Sequence, residues 1–234
     1  MIDVVAFDAD DTLWHSESLF VVTQERVAEL LAPYVDAASL EAELEATERR
    51  NLAVYGYGVK GFTLSLVETA IAVSDGRVTT DEIGTLLDWG RGMLAHPVEL
   101  LDGVEETVRT VAEDHRIVLV TKGDLFHQES KVAESGLGDL FEHVAVVAEK
   151  DPATYARVAR DVGVDPARLL MVGNSVRSDV LPVLELGGYA VHIPYHMTWA
   201  VEAAEVAPDP EVDGRHTQLR SIRELPAHLA QLRG

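Results

Sequence analysis

Three carboxylates crowd into four positions near the start of the chain, directly after a short apolar run. The stretch VVAFDADDTLW contains Asp8, Asp10 and Asp11. Carboxylates this close repel one another, so they are tolerated where a positive partner lies nearby. Carboxylate oxygens suit a hard cation such as Mg²⁺, which also binds phosphate oxygens. The stretch therefore indicates a site for a divalent cation and an anion; the simpler alternative is a turn whose acids cap a helix.

Polar side chains also follow the later apolar runs of the chain. Thr121 and Lys122 follow one run, Lys150 comes shortly after the next, and Asn174 and Asp179 follow a third. Ligands bind beyond the carboxyl ends of the strands in a parallel α/β sheet. If the runs are strands of one such sheet, these side chains converge with the acidic stretch, where lysine and hydroxyl donors would hold the phosphate.

The apolar runs predict strands that are buried on both faces, because they are continuous rather than alternating. The predicted strands are Val4 to Phe7, Ile117 to Val120, Val144 to Val147, Leu169 to Val172 and Ala190 to Ile193. Four helical patterns fill the interval between the first two strands: Glu17 to Tyr34, Leu40 to Val54, Phe62 to Val73 and Thr80 to Ala95. This interval is several times longer than a crossover helix requires.

We therefore expect an α/β protein whose doubly wound, Rossmann-like parallel-sheet core carries an inserted all-α cap. The core would comprise residues 1–14 and 97–234, and the helical cap residues 15–96. Thr79 and Glu82 have the spacing of a capping box at the start of the last cap helix. Val206 to Gly214, which contains two prolines, is interpreted as a surface loop.

The ordered set of polar residues resembles the haloacid dehalogenase superfamily, phosphatase type, with a helical cap of the first cap class. The resemblance covers most of the chain and consists of four motifs in the family's order. The matching residues are Asp8, Asp10 and Thr12 in the first motif, Thr121 in the second, Lys150 in the third, and Gly173, Asn174 and Asp179 in the fourth.

This resemblance implies a Mg²⁺-dependent phosphatase that hydrolyses small phosphomonoesters. Asp8 would attack phosphorus and form an aspartyl-phosphate. Asp10 would protonate the leaving oxygen and then activate the hydrolytic water. Thr121 and Lys150 would bind the phosphoryl group and stabilise its charge. Lys122 is an additional candidate substrate ligand, because an Asp rather than the family's usual proline follows Lys150.

The resemblance also implies that Asp8, Asp10 (through its carbonyl), Asn174 and Asp179 hold the Mg²⁺. One departure affects this set, because Asn174 replaces the first acid of the fourth motif. An amide offers a carbonyl oxygen but no charge. We therefore expect Asp179 to carry more of the metal binding, and Mg²⁺ to bind more weakly than is usual in the family.

Other reactions stay open at this point. The same superfamily contains metal-independent 2-haloacid dehalogenases, against which Asp10 argues, because expelling halide needs no second acid. A phosphomutase would pass the phosphoryl group to a sugar hydroxyl instead of water. A non-catalytic phosphate-binding module is the remaining alternative, since Asn174 is neutral.

Two further segments allow a functional and a structural interpretation. The stretch Tyr55 to Phe62 is either a flexible helix connection or a specificity loop whose Lys60 meets the far end of the substrate. His192 and His196 suggest a metal, but two histidines without cysteine favour packing over a zinc site. Asp11 is assigned a structural, capping role.

Composition narrows the class of partner and compartment. Forty acidic and nineteen basic residues give a net charge of −21, which disfavours nucleic acid and anionic membrane surfaces. The chain has no cysteine and no apolar segment of membrane-spanning length, and we find no secretory signal. We expect a cytoplasmic monomer or homodimer acting on a small phosphorylated metabolite.

Overall fold

The computed structural model describes residues 2–197, 199 and 214–232, and these form two compact units. The first unit holds the described residues of Met1–Glu17, Val98–Lys122 and Gln128–Gly234. The second holds Ser18–Pro97 and Gly123–His127. The loop predicted at Val206 to Gly214 lies, except for Gly214, outside the described residues. The predicted domain limits, with the cap at 15–96, stay a prediction.

A six-stranded sheet forms the centre of the first unit. Its strands are β1 Val4–Phe7, β2 Arg116–Lys122, β3 His143–Val147, β4 Leu169–Gly173, β5 Tyr189–His192 and β6 His216–Gln218. Their order is β3-β2-β1-β4-β5-β6, and every neighbouring pair is parallel. The direction of winding reverses beside β1, so the acidic stretch leaves the sheet at the position where doubly wound folds bind ligands.

Helices cover both faces of this sheet, which confirms the predicted doubly wound class. They are α5 Val104–Asp114, α6 Leu125–Glu134, α7 Pro152–Asp161, α8 Leu181–Glu185 and α9 Leu225–Leu232. Successive side chains of a strand point to opposite faces. Val5 and Phe7 therefore share one core with residues of α5 and α9, while Val4 and Ala6 share another with residues of α7.

The second unit is entirely helical in its described elements. It contains α1 Glu17–Leu31, which begins one residue ahead of the unit, α2 Ala37–Tyr55, α3 Val59–Val73 and α4 Thr80–Leu94. Its core draws on all four helices, with buried residues such as Leu31, Leu44, Leu66 and Leu86. The capping box predicted at the start of α4 is present, since Thr79 and Glu82 bind each other's backbone amides.

The elements differ from the predicted ones mainly at their ends. β2 is three residues longer than the predicted strand. β6 was not predicted, because His-Thr-Gln is neither apolar nor longer than three residues. No helix in the described part of the chain has the length and apolarity that crossing a bilayer requires.

Candidate active site

The ends of β1, β2 and β4 bring the first, second and fourth polar segments together. Phe7 pairs with Leu119 of β2 on one side and with Val172 of β4 on the other. Asp8 is the next residue, and its amide donates to the carbonyl of Val172 at 2.9 Å. Asp8 therefore lies at the edge of the sheet where the strands end. The residue is buried, with 7% of its surface exposed.

A buried lysine joins two carboxylates at this edge. Lys150 Nζ donates to Asp8 Oδ1 at 2.5 Å and to Asp179 Oδ1 at 2.7 Å. Lys150 reaches them from the start of α7, where Asp151 caps the helix and Pro152 occupies its first turn. Two carboxylates and one ammonium leave one negative charge among these three groups.

Burial and charge act together on this trio. Burial raises the pKa of Asp8 to about 6, the charge of Asp179 adds to the rise, and Lys150 opposes it. Burial alone would lower the pKa of Lys150, but the two carboxylates outweigh it and raise that pKa. Lys150 is therefore cationic at neutral pH. Since a cation at hydrogen-bond distance favours the carboxylate, we take an ionised Asp8–Lys150 pair as the neutral-pH state.

The fourth polar segment is held by its own turn. Asp179 lies in one turn of π-helix, Val176–Val180, and Ser175 caps this turn. The amide of Ser175 donates to Asp179 Oδ2 at 3.0 Å, while Oδ1 binds Lys150. Both oxygens of Asp179 thus already accept hydrogen bonds from the protein.

The donor set fits a hard cation. Thr12 Oγ1 donates to Asp8 Oδ2 at 2.9 Å and lies 3.3 Å from Asn174 Oδ1, so one hydroxyl joins the carboxylate to the amide. Carboxylate and amide oxygens are ligands that Mg²⁺ accepts, particularly where the net local charge is negative. No group of three or more His, Asp or Glu side chains suited to a metal occurs among the described residues. The predicted set differs from such a group, since it includes an amide and a main-chain carbonyl.

Asp10 has its own partners, separate from those of Asp8. Trp14 Nε1 and Lys131 Nζ donate to Asp10 Oδ1 at 2.7 and 2.5 Å, and Gln128 Nε2 donates to Oδ2 at 3.0 Å. Burial alone would raise the pKa of Asp10, but Lys131 and the hydrogen bonds of Gln128 and Trp14 together lower it. Asp10 is therefore an oriented carboxylate in the protein as it stands.

Thr121 is joined to Asp10 through one shared donor. Gln128 Nε2 lies 2.6 Å from Thr121 Oγ1 as well as 3.0 Å from Asp10 Oδ2. Thr121 is buried, and its hydroxyl donates over 3.3 Å to the carbonyl of Lys122. The Lys122 ammonium contacts Ser178 Oγ at 2.9 Å and Glu149 Oε1 at 3.4 Å. The structure therefore connects the second motif with the first and fourth.

Three other predicted residues make contacts of a different kind. Lys60, in the second unit, binds Asp124 at 2.8 Å and is half exposed, so its contact with substrate stays a prediction. His192 Nε2 lies 3.1 Å from the carbonyl oxygen of Asn174, and His196 packs on Tyr195, consistent with packing roles.

Asp11 has the structural role predicted for it. Its carboxylate accepts hydrogen bonds from the amides of Ser16 and Glu17, at the start of α1. Its backbone is left-handed, with φ of 62°. This conformation belongs to the tight fold of residues 9–14, which brings Trp14 back to Asp10.

Two site residues, Gln128 and Lys131, were missed by sequence reasoning. Both lie on α6 and bind Asp10, and Gln128 is almost completely buried. A signal was present, because Gln128, Lys131 and the buried Val132 have the i, i+3, i+4 spacing of one helix face. Polar residues on the buried face of a helix need partners, and this helix directly follows the second motif.

Similar structures with low sequence identity show the fold. The L-2-haloacid dehalogenase from Xanthobacter autotrophicus is 20% identical, with a TM-score of 0.68, and the match covers 98% of this chain and 99% of that one. The putative HAD-hydrolase YfnB from Bacillus subtilis, solved bound to magnesium, is 16% identical, with a TM-score of 0.65 over 97% and 98% of the two chains.

No curated protein matches the chain. The family is shown by one solved structure of higher sequence identity and by a family model. A haloacid dehalogenase-like family hydrolase from Xanthomonas campestris is 42% identical, with a TM-score of 0.87, over 99% of this chain and 91% of that one. The family description "haloacid dehalogenase-like hydrolase" matches residues 2–187. Given this match and the arrangement of Asp8, Lys150 and Asp179, the chain belongs to the haloacid dehalogenase-like hydrolases.

Proposed function

We propose that this hydrolase is a Mg²⁺-dependent phosphatase of small phosphomonoesters. The observation that carries the proposal is a second carboxylate, Asp10, two residues after Asp8 in the chain. Three side-chain donors form hydrogen bonds to it. Breaking a P–O bond to an alcohol needs proton transfer to the leaving oxygen, whereas expelling a halide does not. A second acid that is partly exposed and oriented by three donors is therefore useful to a phosphatase and superfluous in a dehalogenase.

Asp8 is the nucleophile in this proposal. One of its carboxylate oxygens attacks phosphorus, the P–O bond to the alcohol breaks, and an aspartyl-phosphate forms. Thr12 and Lys150 orient the carboxylate, and Lys150 offsets the negative charge that gathers as the phosphate approaches. Thr121 donates its hydroxyl hydrogen to a phosphoryl oxygen.

Asp10 transfers the protons in both steps of the proposed reaction. A phosphate monoester has a second pKa near 6, so a substrate bound as the monoanion brings a proton that Asp10 passes to the departing oxygen. The alcohol leaves, and Asp10 is again a carboxylate paired with Lys131. In the second step this carboxylate takes a proton from the water that attacks the aspartyl-phosphate, and the bond between the Asp8 oxygen and phosphorus breaks. Inorganic phosphate is released, and Asp10 gives up the proton to this phosphate or to solvent. The lowered pKa of Asp10 means that this carboxylate is ionised when the water arrives.

The Mg²⁺ would be held by the Asp8 carboxylate, the carbonyl of Asp10 and the amide oxygen of Asn174, with Asp179 alongside. When bound, it neutralises charge on the phosphoryl oxygens and so favours approach of the anionic nucleophile. Asp179 is less accessible as a direct ligand, because the residue is 1% exposed against 7% for Asp8.

A metal-independent 2-haloacid dehalogenase is the second candidate function. The observation that favours it is that Lys150 already supplies Asp8 with a positive partner from the protein itself. A structural neighbour with this activity supports it only at the level of fold, because the two sequences are 20% identical.

One set of assays separates the two functions. We expect release of p-nitrophenol from p-nitrophenyl phosphate with Mg²⁺, loss of this activity in EDTA, and recovery on adding Mg²⁺ back. Asp8→Asn should lower the rate by about 10³-fold or more while circular dichroism shows an unchanged fold. Chloride release from 2-chloropropionate in EDTA, without phosphatase activity, would overturn the proposal in favour of the dehalogenase.

A further inference from the structure

Asp10 receives more hydrogen bonds than any capping role would require, and two of its three donors come from one helix. Gln128 and Lys131 stand three residues apart on α6 and approach different oxygens of the same carboxylate. Gln128 is 2% exposed, and the side chain of Lys131 is 13% exposed. Moving a lysine ammonium and a side-chain amide out of water costs free energy unless both find hydrogen-bond partners. The Asp10 carboxylate is such a partner for both groups.

The third donor is Trp14, which follows Asp10 by four residues in the chain and is not part of α6. Trp14 Nε1 shares Oδ1 with Lys131, and Trp14 itself is 1% exposed. A carboxylate held at both oxygens by buried donors has little freedom to rotate. Proton transfer is sensitive to such alignment, since a displacement of about 1 Å can cost roughly 10²-fold in rate.

Gln128 has a second contact that Lys131 lacks. Its Nε2 lies 2.6 Å from Thr121 Oγ1, so the threonine oxygen accepts a hydrogen bond. The hydroxyl hydrogen of Thr121 then points elsewhere, and the acceptor that it reaches within the described part of the chain, the carbonyl of Lys122, is distant at 3.3 Å. This hydrogen is thereby available to an incoming phosphoryl oxygen.

We propose that Gln128 and Lys131 are positioning residues: both align Asp10 for proton transfer with the leaving oxygen, and Gln128 also orients the Thr121 hydroxyl toward the phosphoryl group. The inference rests on the proposed phosphatase function. It assigns the alignment of the Asp10 carboxylate to two residues on one face of α6. Neither residue touches the substrate in this scheme.

The two roles predict different responses to the leaving group. p-Nitrophenolate leaves without a proton, whereas the alkoxide of β-glycerol phosphate needs one. Lys131→Met should therefore lower kcat/KM for β-glycerol phosphate by about 10- to 100-fold and for p-nitrophenyl phosphate by less than about 3-fold. Lys131→Arg, which keeps a charged donor, should restore most of the loss.

Gln128→Met should lower kcat/KM for both esters, by about 10-fold for the aryl ester and further for the alkyl ester, because Thr121 is also released. The control Arg160→Met removes one positive charge from an exposed helix position, where the Arg160 side chain pairs with Asp161 at 3.7 Å. It should change neither rate. The alkyl-to-aryl ratio is independent of how much of each preparation is folded.

The outcomes separate this inference from the proposed function. Wild-type protein that hydrolyses neither ester overturns both. Wild-type protein that hydrolyses both esters, with a Lys131→Met variant that loses them equally or not at all, overturns the positioning role and leaves the phosphatase function standing. A selective loss on the alkyl ester, restored by Lys131→Arg, supports it.

Discussion

At the scale of single residues, the position of Asp179 depends on the absence of a side chain at Gly173. A Cβ built on Gly173 would lie 2.2 Å from Asp179 Oδ2 and 2.6 Å from its Cβ. Asp179 is 1% exposed and cannot move toward solvent without leaving Lys150. The glycine that ends β4 therefore makes room for a carboxylate that the buried lysine requires.

Gly173→Ala should consequently displace Asp179 and weaken the Lys150 contact. We expect the free energy of unfolding to fall by about 1–3 kcal/mol. Phosphatase activity should fall by about 10-fold or more, since Lys150 would lose one of the two groups that orient it. Chemical denaturation and p-nitrophenyl phosphate hydrolysis measure the two effects.

Gly138→Ala is the matched control for this substitution. Its added Cβ would meet Val132 at 3.4 Å, a distance close to ordinary van der Waals contact. This variant should keep both stability and activity near those of the wild type. Equal behaviour of the two alanine variants would contradict the packing argument at Gly173.

The sequence was sufficient to predict the residues that carry the family's motifs, but not their partners. Asp8, Lys150 and Asp179 could be found because carboxylates and lysines after apolar runs converge in a parallel sheet. Gln128 and Lys131 were not found, since glutamine and lysine on a helix usually face water. Recognising them required knowing which face of α6 is buried.

At the scale of elements, α4 offers a test of how closely two helices of the second unit pack. Gly90 of α4 is buried, and a Cβ there would lie 2.2 Å from Thr63 Oγ1 and 3.0 Å from Thr63 Cβ on α3. Thr63 is fixed in turn by a hydrogen bond to the carbonyl of Val59. Gly84, in the same helix, has open space where its Cβ would be.

These two glycines should respond in opposite directions to the same substitution. Gly84→Ala should stabilise the protein by about 0.5–1 kcal/mol, because alanine has the better helix propensity and meets no obstacle. Gly90→Ala should destabilise it by about 1–3 kcal/mol, because the α3–α4 contact must open. Thermal unfolding of both variants measures the difference, and stabilisation by Gly90→Ala would contradict the close approach.

The elements themselves were predictable to different degrees for one physical reason. A strand buried on both faces must be apolar, so β1, β2 and β4, which are almost entirely buried, stand out in the sequence. Among the described strands, β6 pairs with β5 alone, and at this edge it tolerates the polar residues His216, Thr217 and Gln218. Nothing in its composition separates it from a loop.

At the scale of the whole molecule, charge is the dominant feature. The net charge of −21 means that folding brings many like charges together. Such self-repulsion destabilises the compact state and is screened by salt. The exposed ion pairs, for example Arg91 with Asp88, are also weakened by salt, but each contributes only about 0–1 kcal/mol. With forty acidic and nineteen basic residues, repulsion outweighs these pairs.

The thermal midpoint should therefore rise with ionic strength. Between about 10 mM and 150 mM NaCl the Debye length falls from about 30 Å to about 8 Å, which removes most long-range repulsion. A gain of about 1–2 kcal/mol would raise the midpoint by roughly 2–8 °C for a chain of this size.

Calorimetry in NaCl measures the general effect of ionic strength. Calorimetry in MgCl₂ at equal ionic strength adds any stabilisation from specific binding of Mg²⁺. That added increment should saturate and disappear in Asp8→Asn, whereas the NaCl effect should persist in this variant. A midpoint that falls as NaCl rises would mean that surface ion pairs, rather than repulsion among the excess acids, dominate the electrostatic free energy of the fold.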